Sequence, residues 1–556
     1  MKAQHASQGR PAPVNRMHAE VAQAAPPVPN GRAAPLTAVA DAAAKRPLLA
    51  AITLESVLLG LAFGFGATLR VWHIDHVGLN SDEAVYAGQA GAVADIGSLE
   101  PYFSAFRAHP LLFQTMLSFG YRLGEIDLWG RLLSAVIGIA TVFLAYKLGK
   151  LLYGRRAGAI AALFMAVMPY HVLVTRQILL DGPMTLFATL TLYLVARYAN
   201  DRRPAFLYAA ATAMALAALS KETSLVLLGG IYAFFALAPE IKVRTRYVVT
   251  AGALLGFALA TFPISLTLAG KAHTGGNYLA WQLFRRPNHE WTFYPSTVPH
   301  AIGYLVVLTA LVGIWLLWRE RSWRETLLLS WIAVPVAFFQ IWPVKGFQYL
   351  LPIAPAVAVL AARTLTRWPE LGVPGLPKLA ASVRARELAE RLAAPAVALI
   401  AISLLITTVS RLEPSADGKL LAGSGGLPGG RETGHWIRNH VPEGATFVTI
   451  GPSMANVIQF YGNRKAYGLS VSPNPLNRNP SYEPVVNPDR LIRDNEVQYL
   501  VWDSFSASRS KFFARSLKRY ADRYNGRAAY MYATDVTTPD GSRVKKPLIV
   551  VYEVRP

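Results

Sequence analysis

Long apolar runs separated by polar, Pro- and Gly-rich segments set the pattern of this chain. The runs fall at approximately 48–70, 132–152, 157–174, 182–199, 204–220, 223–239, 247–270, 301–318, 325–343, 349–366 and 393–410. Most approach the ~20 residues that a bilayer-spanning helix needs. Inside hydrocarbon every backbone N–H and C=O must be paired within the segment, so the runs are predicted to be helices. The expected fold is a polytopic α-helical membrane protein with about eleven transmembrane helices. One step of that count depends on a tight external turn at Ser220-Lys221-Glu222-Thr223. Without it, 204–239 becomes one broken helix and everything after it inverts.

The chain ends read differently. Residues 1–46 are rich in Ala, Pro and Arg without apolar periodicity, the composition of a disordered cytoplasmic tail. The apolar run after Lys45-Arg46 is long enough to stay as an anchor rather than be removed as a secretory signal. The membrane part is assigned to 47–410 and a linker to 411–430, where Gly423-Ser424-Gly425-Gly426-Leu427-Pro428-Gly429-Gly430 is flexible by composition. Residues 431–556 are of mixed character and predict a small C-terminal extracytoplasmic α/β domain. Its expected helices are Arg431–His440 and Arg509–Tyr524, and its expected strands Ala445–Ile450 and Val497–Trp502. Ala528–Ala533 and Pro547–Val554 pair as a hairpin around Pro539-Asp540-Gly541.

Composition supports the membrane class. Hydrophobic residues make up 53% of the chain, charged residues 16%, and mean hydropathy is +0.30; a soluble domain carries about 25% charged residues. The net charge of +22 invites a nucleic-acid reading, but its placement decides otherwise. Lys45 and Arg46, then Lys147, Lys150, Arg155 and Arg156, then Arg197, Arg202 and Arg203 all fall on one side of the predicted topology. So do Lys242, Arg244 and Arg246, then Arg319, Arg321 and Arg324, and the basic stretch 363–391. By the positive-inside rule that side is cytoplasmic, so much of the charge is a topology signal and no nucleic-acid partner is implied. The absence of Cys removes thiol and disulfide chemistry.

Candidate chemistry lies in the external loops. Asp82-Glu83 sits in the first of them, within Gly78-Leu79-Asn80-Ser81-Asp82-Glu83. Either Asn80 or Ser81 caps a short interfacial helix with the acids in its first turn, or the pair supplies a general base or a ligand for a divalent cation. Asp181, followed by Gly182-Pro183, either opens a helix or pairs with Arg176; Arg176 alternatively binds a phosphate. Lys221 and Glu222 occupy the tight turn, as a mutually paired snorkelling lysine or as substrate contacts. Lys345 lies between Pro343 and Gly346 just outside an apolar run, with Gln348 and Tyr349 close behind. Between Lys271 and His300, Trp281, Trp291 and Tyr294 belong to an interfacial aromatic belt, or stack on sugar beside Arg285-Arg286.

Asp82-Glu83, then His109-Pro110, then Thr175-Arg176-Gln177-Ile178-Leu179-Leu180-Asp181 resemble the protein O-mannosyltransferase superfamily of GT-C membrane glycosyltransferases. That superfamily includes the aminoarabinose transferases of lipid A. Lys221-Glu222 and Lys345-Gly346-Phe347-Gln348-Tyr349-Leu350-Leu351-Pro352 resemble further family segments, and Arg131 a recurring arginine. The family's His-Pro-Pro stands here as His109-Pro110-Leu111, a departure from the protein-mannosylating subgroup. The C-terminal part does not resemble the β-trefoil of eukaryotic members, which favours a bacterial relative.

The resemblance implies a GT-C fold and a polyprenyl-phosphate sugar donor. The sugar passes to a hydroxyl acceptor (protein, cell-wall glycan or lipid) on the external face of a bacterial plasma membrane. It implies Asp82 as general base with Glu83 orienting it, and substrate contacts from His109, Arg176, Asp181, Lys221, Glu222, Lys345, Gln348 and Tyr349. A single displacement inverts the anomeric configuration. A divalent cation remains an option, with no His or Cys pattern for a preformed zinc site. The competing reading is a transporter or flippase for lipid-linked glycans. Such proteins favour internal repeats and charges near the midplane, whereas the polar groups here concentrate in external loops.

Overall fold

Apolar runs become helices at every expected segment in the computed structural model. It describes residues 53–556 apart from 104–108, 123, 125, 269–280, 282–284, 286, 317, 319–320, 368–382, 413–426 and 538–541. The expected tail, most of the linker, Glu125, Arg286, Arg319 and the hairpin tip Pro539–Gly541 therefore lie outside the described residues. Helix α1 (Leu54–Val71) leads into a long connecting segment that holds α2 (Ser81–Val93) and α3 (Leu112–Tyr121). Then come α4 (Ile126–Tyr153), α5 (Arg155–Val167), α6 (Pro169–Val174), α7 (Asp181–Asp201) and α8 (Pro204–Ser220). A 3-10 turn at Glu222–Leu225 precedes α9 (Val226–Leu237) and α10 (Thr245–Leu268). Helices α11 (Phe293–Ile302), α12 (Tyr304–Leu316) and α13 (Trp323–Ile341) follow, then a 3-10 segment at Phe347–Ile353, α14 (Ala354–Arg367) and α15 (Val383–Val409).

Two expectations are refined. The run 157–174 is two helices, because Pro169 supplies no N–H and Met168 takes an extended conformation. The stretch before His300, expected as loop, contains α11, which meets α12 at 98°. Gly303 sits at that bend with φ +104°, a conformation that other residues rarely adopt. Among the described residues six helices are long and apolar enough to cross a membrane, or seven with the bent pair taken as one span. Helices Pro204–Ser220 and Glu222–Leu237 are shorter and apolar.

The turn at Lys221 does reverse the chain. Helix α8 begins two residues after Arg202, and α9 ends back beside it. Phe235 packs edge-on against Tyr198 at 6.2 Å, and Arg202 donates to the Glu240 carbonyl at 3.2 Å. One end of the bundle carries Asp181, Lys221 and Tyr349; the other carries Tyr153, Glu325 and Arg363, joined by Tyr153–Glu325 at 2.7 Å and Arg363–Glu325 at 2.8 Å.

The C-terminal part contains α16 (Gly430–His440), β1 (Thr446–Thr449), α17 (Pro452–Val457), β2 (Lys465–Gly468), α18 (Pro488–Arg493) and β3 (Tyr499–Asp503). It ends with α19 (Ser504–Arg509), α20 (Lys511–Arg523), β4 (Arg527–Thr537) and β5 (Arg543–Glu553). The sheet order is β2-β1-β3-β5-β4; β1 pairs in parallel with β2 and β3, and β5 pairs antiparallel with β3 and β4. The expected hairpin is the β4–β5 pair, while β2 and the helix after β1 went unread in the sequence.

This sheet is fastened to the segment between α1 and α4. Ala84, Ala87, Phe113 and Leu117 share one buried apolar cluster with Ile437, Phe447, Tyr461 and Phe505. The Leu79 N–H donates to the Tyr461 hydroxyl at 2.9 Å, and Asn456 Nδ2 to the Ser81 hydroxyl at 3.0 Å. Arg431 reaches Asp75 and Asp127 at 2.5 and 3.2 Å. Helix α2, which carries Asp82, is thus gripped from both sides.

Candidate active site

The local sequence explains how Asp82 is presented. Asn80 caps α2: its Oδ1 accepts from the N–H groups of Asp82 (2.9 Å) and Glu83 (3.0 Å), and Glu83 Oε2 accepts from the Asn80 N–H (3.1 Å). This reciprocal capping box satisfies otherwise orphaned helix N–H groups. Glu83 is fully buried and completely engaged. Arg131 Nε and Nη2 donate to its two oxygens at 2.9 and 2.8 Å, and the Ile178 N–H donates at 3.0 Å. Arg131 also donates to the carbonyls of Ile74, Val77 and Gly78. Glu83 therefore has no lone pair facing a substrate; it locks the N-terminus of α2 to the loop before it and to the segment before α7.

Asp82, one residue earlier and about 100° around the helix, is left without such partners. Its carboxylate is half-buried and accepts no hydrogen bond from the described residues. Burial pushes its carboxyl above the ordinary carboxylate range; Asp181 and Glu83 add to this, while Lys221 and His109 oppose it. A carboxylate with raised basicity and open lone pairs suits proton abstraction.

Around it stand two ion pairs. Lys221, in an extended conformation after α8, places Nζ 2.8 Å from both oxygens of Asp181 at the start of α7. The same ammonium lies 4.9 Å above the Tyr349 ring. Tyr349 is seated against Phe339 and so close to Gly346 that a Cβ there would meet its ring at 2.7 Å. The second pair is His109 Nδ1 with Glu222 at 2.8 Å, His109 also standing edge-on to Tyr86. Pairing Lys221 with Glu222, and Arg176 with Asp181, is thereby corrected: the turn sends the two neighbours to different partners.

Other expected residues are placed differently. Arg176 donates to the carbonyls of Leu69 (2.5 Å) and Trp72 (2.7 Å) at the end of α1, so its charge serves the scaffold there. Lys345 Nζ donates to the carbonyls of Gln340 and Trp342 at the C-terminus of α13, with Asn288 bonded to both its backbone groups. It still faces the Trp291 ring at 5.6 Å. Gln348 is half-buried and makes no hydrogen bond among the described residues. Arg285 lies 4.8 Å from the Trp281 ring without an ion pair, and its charge bears on Tyr349. Sequence reading missed Asn456 of the C-terminal part, because only the folded chain brings it to Ser81 of α2.

For a divalent cation the donor set is poor. Among the described residues no three His, Asp or Glu side chains come together to hold a metal ion. Asp181 and Glu222 are already committed to Lys221 and His109.

The comparisons agree with this architecture. Residues 108–265 match the family model described as dolichyl-phosphate-mannose-protein mannosyltransferase. No curated protein matches the chain by sequence. Among solved structures, ArnT from Cupriavidus metallidurans in the apo state superposes with a TM-score of 0.63 at 14% identity, covering 90% of this chain and 98% of that one. The same protein bound to undecaprenyl phosphate gives 0.62 at 14% identity, with 88% and 97% covered. The apo oligosaccharyltransferase of Archaeoglobus fulgidus gives 0.54 at 14% identity, with 89% and 74% covered. The helical bundle with its docked C-terminal sheet thus has the fold of the GT-C membrane glycosyltransferase structures, and residues 108–265 match the mannosyltransferase family model.

Proposed function

We propose that the chain moves a sugar from a polyprenyl-phosphate donor to a hydroxyl acceptor at the external face of a bacterial plasma membrane, with inversion. The N-terminal tail is then cytoplasmic and residues 431–556 extracytoplasmic, as the positive-inside tally requires. One observation carries the reading: within a cluster of four carboxylates, Asp82 alone has no hydrogen-bonded or ion-paired partner among the described residues. Glu83, Asp181 and Glu222 are spoken for by Arg131, Lys221 and His109. That ArnT was solved with undecaprenyl phosphate supports a polyprenyl-phosphate donor.

In the proposed step Asp82 takes the proton from the acceptor hydroxyl as its oxygen bonds to the anomeric carbon. The bond from that carbon to the phosphate oxygen breaks, and polyprenyl phosphate leaves with the electron pair. The base and the leaving group act from opposite faces of the sugar, as a single inverting displacement requires. Lys221, Tyr349 and Arg285 line the leaving-group side, where preorganised donors stabilise developing phosphate charge. His109 and Glu222 hold the turn that carries Lys221. Purified protein in detergent with a panel of radiolabelled polyprenyl-phosphate sugars tests this. Transfer or slow donor hydrolysis that is lost in Asp82→Asn is expected. Donor binding without turnover, equal in both proteins, would overturn the assignment.

A further inference from the structure

Helices α1, α5 and α15 enclose a cleft of about 460 Å³ that ends at Arg156. Ligand sites commonly hold about 300–1,000 Å³. Away from Arg156 the cleft stops where the helices are stitched together. Arg70 of α1 donates to the Ala166 carbonyl at 3.1 Å, and Thr408 of α15 donates to the Val167 carbonyl at 2.6 Å. The helical repeat explains the lining. Helix α5 contributes Ile160, Leu163 and Val167, with Arg156 on the same face one turn before Ile160. Helix α15 contributes Ala394, Ala398 and Ala401, whose small side chains leave the space open, and α1 lines it from Leu54 to Phe65.

Polarity is confined to the mouth. Apart from Arg156 and Thr366, at the end of α14, every lining residue is apolar. Arg156 is exposed and makes no hydrogen bond or ion pair among the described residues. Arg391, three residues before Ala394 and also exposed, extends the α15 face towards the same end. Glu55, in the first turn of α1, is not part of the lining. From Arg156 to Val167 the cleft is about 16 Å long, at about 1.5 Å per helical residue. That is close to half of the ~30 Å hydrocarbon core, the depth of one leaflet.

An apolar slot one leaflet deep with a guanidinium at its mouth is complementary to a lipid with an acidic head. We infer that the cleft seats an acyl chain of an anionic glycerophospholipid, with the lipid phosphate against Arg156. The donor's phosphate belongs elsewhere. Tyr153, three residues before Arg156, joins the Glu325–Arg363 cluster at the end of the bundle opposite Asp181 and Lys221. Lipid bound here therefore stands apart from both proposed substrates. On the proposed topology its leaflet is the cytoplasmic one, where basic pockets between helices hold acidic head groups.

Native mass spectrometry of the full-length protein in detergent tests this, with titrations of phosphatidylglycerol, phosphatidylcholine and undecaprenyl phosphate. One phosphatidylglycerol is expected to bind saturably, about 5-fold more tightly than phosphatidylcholine, the range for one basic residue beside acidic lipid. Arg156→Ala abolishes that preference and Arg156→Lys keeps most of it. Ala398→Phe fills the slot and weakens both phospholipids; position 398 is exposed, so the larger ring does not enter the core. Undecaprenyl phosphate binds equally to all four proteins. Equal affinity for the two phospholipids in wild type, or a preference that survives Arg156→Ala, would overturn the inference. So would stepwise uptake without saturation, equal in every variant, which marks unspecific lipid around the helices. Weaker undecaprenyl phosphate binding in Arg156→Ala or Ala398→Phe would assign the cleft to the donor. A dimer that Ala398→Phe dissociates would assign it to a second copy of the chain; either result refutes the phospholipid site.

Discussion

Removing Lys221 tests the electrostatic design of the site. Its side chain and that of Asp181 are 4% and 2% exposed, with Nζ 2.8 Å from both carboxylate oxygens. Lys221→Met leaves a carboxylate buried without its counter-charge, a loss of about 3–5 kcal/mol. Lys221→Met with Asp181→Asn replaces the pair by neutral groups and costs far less, so the two changes couple by at least about 2 kcal/mol. Thermal and denaturant unfolding of the four proteins in detergent measures that coupling. The chemistry carries a second signature. Lys221 opposes the upward displacement of the Asp82 carboxyl, and Asp181 reinforces it. In Lys221→Met the Asp82 pKa therefore rises further. A base works deprotonated, so the acid limb of the pH–rate profile moves to higher pH. Additive stability losses, or an acid limb that stays put or moves down, would refute this account of the pair.

Two further perturbations separate scaffold from chemistry. Glu83→Gln removes the counter-charge of buried Arg131 and is expected to cost about 3–5 kcal/mol in unfolding measurements. Because Glu83 helps to raise the Asp82 carboxyl, the acid limb of any residual activity moves to lower pH, opposite to Lys221→Met. In the C-terminal domain, burial raises the Asp503 carboxyl from 3.8 to about 6. The folded state then holds this proton more tightly than the unfolded chain. Its charged form costs about 3 kcal/mol at neutral pH, at 1.36 kcal/mol per pKa unit, and stability recovers as pH falls from about 6 towards 3.8. Asp503→Asn removes that component, so the wild-type and variant unfolding curves should converge on acidification.

The helices were legible because hydrocarbon imposes one requirement on every segment, paired backbone groups over a bilayer-spanning apolar run. Even the reversal at Lys221 followed from which side the arginines fall on. The ion pairs were not legible. Asp181 and Lys221 are 40 residues apart and His109 and Glu222 are 113 apart, and only the bundle's packing decides these matches. Local spacing misdirected Arg176, five residues before Asp181, because a guanidinium satisfied by the carbonyls of Leu69 and Trp72 leaves no trace in its own neighbourhood. Asn80 and Glu83 did carry a local signal, the three-residue interval of a capping box, and it marks Glu83 as the structural member of the acidic pair. Strand β2, four residues at a sheet edge, is too short to stand out.

The most direct test of the central claim compares wild type with Asp82→Asn for transfer or hydrolysis of radiolabelled polyprenyl-phosphate sugars across the acid range. The account predicts sugar release by wild type that falls as pH drops through the raised Asp82 pKa, and loss of about 10²- to 10⁴-fold in the variant, the range for a general base. Equal turnover in the two proteins would contradict it.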